Sequence, residues 1–301
     1  MKISDYLYCT FTRRIGFVDI KTSLELNERE QNRLITQALP QGSSPQESIK
    51  IMLREDGLLV SYYSMTNISD AIIVILILEG LEPKLQLPYW IFSEKSLKLA
   101  IQAKEENWLI NKLKNRVELT ATQEREFELL DEKTLSSLLY SVLTKDNVIL
   151  ISEAHETRIK FLATLGGAFP AKIMEQNTIT TWCKEFEGNQ NILGIDQSSK
   201  DTKKINRFRL QSDLIFVDLD SGILTGEGAK DAPLTDELAI MYREGKTQEM
   251  VRKLNEVCDI AEKGAITEEM HPQNVELYKR IRSNLTGEEM EKTQTGWFVD
   301  F

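Results

Sequence analysis

Ala71-Ile72-Ile73-Val74-Ile75-Leu76-Ile77-Leu78, closed by Glu79-Gly80, is the most hydrophobic run in the chain, and its reading decides the fold class. Eight apolar residues are too few for a membrane-crossing helix, which needs about 20. The run is rich in isoleucine and valine, and a glycine punctuates its end. Together these features predict a strand buried on both faces. A second strand, Leu58 to Tyr63, precedes it across a polar turn at Thr66-Asn67.

Upstream, Tyr6 to Phe11 and Ile15 to Ile20 are short apolar runs parted by Thr12-Arg13-Arg14, the pattern of a hairpin. Asn27-Glu28-Arg29-Glu30 has the spacing of a capping box, and Leu34, Ile35, Ala38 and Leu39 follow on one helical face. Ser44-Pro45-Gln46-Glu47 gives a second helix-start signal, a capping serine followed by proline, with Ile49, Met52 and Leu53 as the apolar stripe. Downstream, Tyr89 to Phe92 is a candidate strand, and the composition turns charged and helical from about Ser93 to Leu130. Leu135, Leu138, Leu139 and Val142 predict an amphipathic helix. Asn147 to Ile151 reads as a strand, then Glu153 to Leu165 as a helix closed by Gly166-Gly167. Ile179 to Cys183, Ile192 to Ile195 and Leu214 to Leu219 are further strand candidates. After Gly222 the chain is expected to be helical, with Met250, Leu254, Val257, Cys258 and Ala261 lining a helix that Gly264 ends. The class is α+β: two mixed α/β lobes with a helical C-terminal region. The boundaries are 1–118 for a β-rich lobe, 119–232 for a second lobe and 233–301 for the helices.

The chain of 301 residues is 41% hydrophobic and 28% charged, with a net charge of −10. The apolar fraction is ample for a core. An acid excess disfavours nucleic-acid binding, which needs Lys and Arg to displace phosphate counterions, and docking on anionic membranes. The opening Met1-Lys2-Ile3-Ser4-Asp5 lacks the apolar stretch of a secretory signal, so a cytoplasmic location is expected. The three cysteines Cys9, Cys183 and Cys258 are too widely spaced for a disulfide framework or zinc pattern and read as buried thiols.

The strongest catalytic candidate is Leu214-Ile215-Phe216-Val217-Asp218-Leu219-Asp220-Ser221-Gly222, an apolar strand ending in two aspartates one residue apart. It resembles the first motif of haloacid-dehalogenase-like phosphatases. There the first carboxylate attacks phosphorus, the second acts as acid and base, and both help hold Mg²⁺. Gly222 stands where that motif has Thr or Val, and only about 80 residues follow, mostly helical in pattern. A strand ending in polar turn residues is the competing reading. Gly245-Lys246-Thr247 ends like a phosphate-binding loop, but Ile240 stands where its first glycine belongs. The two histidines, His155 and His271, have no metal-ligand spacing.

Leu7-Tyr8-Cys9-Thr10-Phe11, then Gly16-Phe17, then a helix start near Leu24 to Glu28, resembles the N-terminal domain of bacterial GTPase-associated proteins. Phe161-Leu162-Ala163-Thr164-Leu165 to Phe169-Pro170, followed by Thr178-Ile179-Thr180-Thr181-Trp182, is similar to that family's leucine-proline segment and its Thr/Ser-rich strand. The family's glycine- and asparagine-containing stretch leading to a histidine has no counterpart, since Ser69-Asp70 runs straight into Ala71. The resemblance implies an adaptor or effector acting with a GTPase in a bacterial conflict or defence system, with no catalytic residues to transfer.

The expectation is therefore a non-enzymatic adaptor that binds a protein partner, without nucleic acid, membrane or cofactor, and with room for an oligomer. The alternative is a Mg²⁺-dependent phosphohydrolase using Asp218 and Asp220. Trp297 and Phe298, costly to leave exposed after a polar tail, are the sequence's candidates for partner contact. From Pro233 to Phe301 there are 14 acidic and 9 basic residues, so an electropositive partner would meet this end.

Overall fold

A computed structural model describes residues 2–39, 47–54, 57–66, 70–80, 82–84, 86, 130–152, 154–180, 192–196, 214–226, 230–267 and 269–288. The hydrophobic run around Ile75 is strand β5 (Asp70–Glu79). It lies between β1 (Lys2–Thr12) and β4 (Gly57–Met65), antiparallel to both, and pairs with β1 from Lys2↔Glu79 to Thr12↔Asp70. Its two faces enter different cores. Ala71, Ile73 and Ile75 pack with Leu34, Ile35 and Ala38 of α1 (Glu28–Ala38), while Val74, Leu76 and Leu78 join the larger core on the opposite side. A continuous apolar strand results because neither face meets water.

β1 and β2 (Gly16–Thr22) form the expected hairpin, longer than the apolar runs alone predict. The capping box on α1 is present: Asn27 Oδ1 accepts the Glu30 N–H, and Glu30 Oε2 accepts the Asn27 N–H, both at 3.0 Å.

The helix expected after Ser44-Pro45-Gln46 is corrected to strand β3 (Glu47–Arg54); Ser44, Pro45 and Gln46 lie outside the described residues. β3 pairs in unbroken antiparallel register with β4, from Glu47↔Ser64 to Arg54↔Gly57. Ile49, Met52 and Leu53 fit a helical stripe, but Ile49, Ile51 and Leu53 also alternate at the period of a strand. The sheet buries Ile49 and Ile51 fully and leaves Leu53 45% exposed, so the helical stripe is not the face that is covered. Gly57 holds the entry to β4 at φ +131°, where a Cβ would stand 2.5 Å from the Leu78 carbonyl oxygen.

Beyond these five strands the sheet continues. Its order is β10-β9-β6-β8-β7-β3-β4-β5-β1-β2, with β6 (Asn147–Ser152), β7 (Ile179–Thr180), β8 (Ile192–Asp196), β9 (Leu214–Asp218) and β10 (Ile223–Thr225). β7, β8, β6 and β9 run parallel to their neighbours in that group, whereas β7 joins β3 antiparallel through Lys50↔Thr180 and Ile51↔Ile179. β10 corrects the expectation that the chain is helical directly after Gly222.

The predicted amphipathic helix is α2 (Glu132–Thr144), but every residue from Thr134 to Thr144 is buried. Its polar side chains are short enough to be satisfied within the protein. Ser141 donates to the Ser137 carbonyl and Thr144 to the Tyr140 carbonyl, both at 3.0 Å, and Ser136 donates to Asp236 at 2.6 Å, with the Thr235 hydroxyl 2.9 Å away. α2 thereby serves as the middle of a layer, with β6 on one side and α5 (Pro233–Arg243) and α7 (Pro272–Thr286) on the other.

α3 (His155–Ala168) runs through Gly166-Gly167 rather than ending there; Pro170, which bars Phe169 from helical geometry, sets the end. The short α4 (Ala171–Met174) follows. α6 (Thr247–Lys263) buries Met250, Leu254, Val257, Cys258 and Ala261 as expected, and Gly264 ends it at φ +65°. The protein is α+β with helices at its C-terminal end. Among the described residues no helix is long and apolar enough to cross a membrane. Tyr89 to Phe92 and the charged segment from Ser93 to Leu129 lie outside the described residues.

Candidate functional site

Two places draw together the residues that carry chemistry. The first is the carboxyl edge of the parallel strands, where β8 ends at Asp196, β6 at Ser152 and β9 at Asp218. Asp218 Oδ1 accepts the backbone N–H groups of Asp220 and Ser221 at 3.0 and 3.2 Å, which folds Leu219-Asp220-Ser221-Gly222 into the turn leading to β10. The Ser152 hydroxyl donates to Asp220 Oδ1 at 2.8 Å. Arg158, buried on α3, donates to the Ser152 carbonyl and so ties α3 to the end of β6. Both sequence-predicted aspartates thus stand at one strand end, Asp218 half-buried and Asp220 exposed.

Each aspartate has an oxygen engaged in holding the turn or the neighbouring strand. Carboxylate oxygens suit the hard cation Mg²⁺, and each residue has a second such oxygen. Among the described residues, no group of three or more His, Cys, Asp or Glu is placed to hold a metal ion.

The second place is a surface groove of about 490 Å³ between α5 and α6, beside the turn Glu244-Gly245-Lys246. Its apolar lining is Pro233, Met241 and Ile240, the last 43% exposed. Four carboxylates, from Asp236, Glu237, Glu244 and Glu249, line the groove together with one ammonium, that of Lys246. Glu244 holds Lys246 at 2.6 Å, raising the lysine's pKa, and Glu237 reaches Lys253 at 3.2 Å. Asp236 accepts the Ser136 hydroxyl at 2.6 Å, and Glu249 has no ion-pair partner among the described residues. The groove therefore combines apolar side chains with a net negative lining.

Ile240 explains why the groove could not be read from the sequence. α5 buries Leu234, Thr235, Leu238, Ala239 and Tyr242, and Ile240 is out of phase with that stripe. An apolar residue on the polar side of a helix is a signal, but one that is visible only once the stripe is fixed.

The remaining candidates have structural placements. Burial pushes the thiols of Cys9 and Cys258 up to about 12, as inert interior groups. Cys183 lies outside the described residues. His271 is the N-cap of α7, and its Nδ1 accepts the Gln273 N–H at 3.4 Å. Gly245-Lys246-Thr247 connects two helices, so no strand delivers it to a phosphate. Trp297 and Phe298 lie outside the described residues.

A scan against protein-family models finds no match to the chain, and a search of curated proteins finds none either.

Proposed function

We propose that the protein is a non-catalytic interaction component, an adaptor that offers the α5–α6 groove to a protein partner. The observation that carries this reading is Ile240. A branched apolar side chain stands exposed in a groove that four carboxylates also line, a composition that suits an apolar anchor with polar surroundings. The likeness of the first strands to GTPase-associated proteins makes a GTPase of a bacterial conflict or defence system the first partner class to test. The test is affinity capture from the native host with mass spectrometry, comparing the native chain with Ile240→Asp. A partner retained by the native chain and lost by the variant supports the adaptor. Identical capture by both removes the groove from the account.

A second reading rests on the carboxyl edge of β9. Asp218 and Asp220 sit beside β6 and the start of α3, where parallel α/β sheets commonly bind ligands. A Mg²⁺-dependent phosphohydrolase would use Asp218 as nucleophile and Asp220 as acid and base. Phosphoester hydrolysis in the presence of Mg²⁺ that disappears in Asp218→Asn supports it. Hydrolysis unchanged by that substitution, or absent altogether, ends it.

A further inference from the structure

The hairpin tip of the β1–β2 pair carries the complement of the groove. Ile15 is 76% exposed at the turn, with Arg13 and Arg14 exposed beside it. The turn is well defined. The Ile15 N–H donates to the Thr12 carbonyl at 3.1 Å, and Gly16 takes φ +93°, a conformation that closes a three-residue hairpin loop. Directly below, the Phe11 and Phe17 rings pack at 5.4 Å between centroids. Neither arginine has a carboxylate partner among the described residues. A braced loop thus presents two guanidinium groups and one apolar side chain. The groove presents three apolar residues and four carboxylates among its lining.

We infer that the Arg13-Arg14-Ile15 tip of one copy docks into the α5–α6 groove of a second copy, making a head-to-tail contact. This rests on the reading of the groove as a docking site and names its occupant. Tip and groove of the same copy are far apart. In the sheet order β2 is seven strands from β6, and at about 4.8 Å per strand that is roughly 34 Å. The groove is tied to the β6 end of the sheet, since α5 packs on α2 and α2 packs on β6. The contact is therefore between molecules. Because it joins two different patches, it repeats from copy to copy as a ring or a filament.

The chemistry sets its strength. Ile15 meets Ile240, Met241 and Pro233, while Arg13 and Arg14 meet Glu249 and Asp236. A three-residue tip covers less area than a stable dimer uses, so association is weak and concentration-dependent. Two copies of net charge −10 repel at long range. At 0.15 M ionic strength the Debye length of about 8 Å screens that repulsion and leaves the contact pairs. At 1 M the pairs themselves weaken.

Sedimentation velocity on the full chain between about 1 and 100 μM tests the inference. The native chain should gain mass with concentration at 0.15 M salt and lose roughly tenfold in association constant at 1 M. Two variants, Arg13→Glu/Arg14→Glu and Ile240→Asp, should each stay monomeric. Mixed in equal amounts they should form a one-to-one dimer and nothing larger, because only one good tip and one good groove remain. That dimer also shows that both variants are folded. A monomeric native chain, a mixture that does not pair, or a tip variant that assembles like the native chain overturns the inference. If a captured partner depends on Ile240 while the native chain stays monomeric, the adaptor stands and self-docking falls. If capture ignores Ile240, the adaptor itself falls.

Discussion

At the scale of single residues, chemistry is decided by what surrounds each group. Cys9 sits inside β1 and Cys258 on the inner face of α6, and burial holds both thiols up to about 12. The thiolate, not the thiol, is the nucleophile, so at pH 8 neither presents a useful thiolate fraction. Titration of the native protein with a thiol reagent should label at most one of the three cysteines rapidly, with all three reacting after denaturation; rapid labelling of two or more in the folded state contradicts the burial. These two thiols were legible from sequence, because an apolar strand and a helical stripe place Cys9 and Cys258 indoors. The engagement of Asp218 with its own turn was not. The pattern of an apolar strand followed by two aspartates is the same whether a carboxylate holds a metal ion or two backbone N–H groups.

At the scale of elements, the same ambiguity decides where reading by pattern succeeds. β5 has a single interpretation, since its eight apolar residues are mostly Ile and Val and a glycine closes them, which selects a strand with two covered faces over a buried helix. Residues 47–54 have two, because an apolar set at 49, 51, 52 and 53 satisfies both periods, and only pairing with β4 selects the strand. α2 was legible as a helix but not as a buried one: serine and threonine read as polar, yet their hydroxyls bond within the helix or to α5. The start of α2 carries a testable pH dependence. Asp131 caps it, accepting the Thr134 N–H at 2.7 Å, and that hydrogen bond leads the causes that hold its carboxyl below the ordinary carboxylate range. A depressed folded pKa means the cap contributes fully above the unfolded value, near 4, and is lost as pH falls through the lower folded value. Asp131→Ala should cost about 1 kcal/mol in urea unfolding at pH 7. Asp131→Asn should retain most of that stability at pH 7 and show a shallower loss as pH falls below about 4. An acid limb unchanged by Asn places the pH dependence elsewhere.

At the scale of the whole molecule, the two halves of the sheet differ in kind but share an interior. Among the described residues, the antiparallel strands β1 to β5 hydrogen-bond to the parallel group around β6 where two-residue β7 pairs with β3. A single hydrophobic core nevertheless runs from Ile3 and Val74 through Leu139 and Leu150 to Leu254 and Ile281. Sequence patterns report elements one at a time, and no local signal says that residues as distant along the chain as Ile51 and Ile179, at the β3–β7 junction, lie side by side. The inner face of β4 and β5, formed by Leu58, Val60, Tyr62, Val74, Leu76 and Leu78, belongs to this common core. Residues 1–118 expressed alone would therefore lose the packing partners of that face, and 119–301 would lose the strand that closes the open side of β7. Exposing these six apolar side chains at about 1.5–3 kcal/mol each costs as much as the roughly 5–15 kcal/mol that holds a typical domain folded. Neither piece should show a cooperative thermal transition by circular dichroism, whereas an equimolar mixture refolded together should recover one. A piece that melts cooperatively alone would mean that its share of the core is self-sufficient, and that the junction at β7 joins two domains rather than two parts of one.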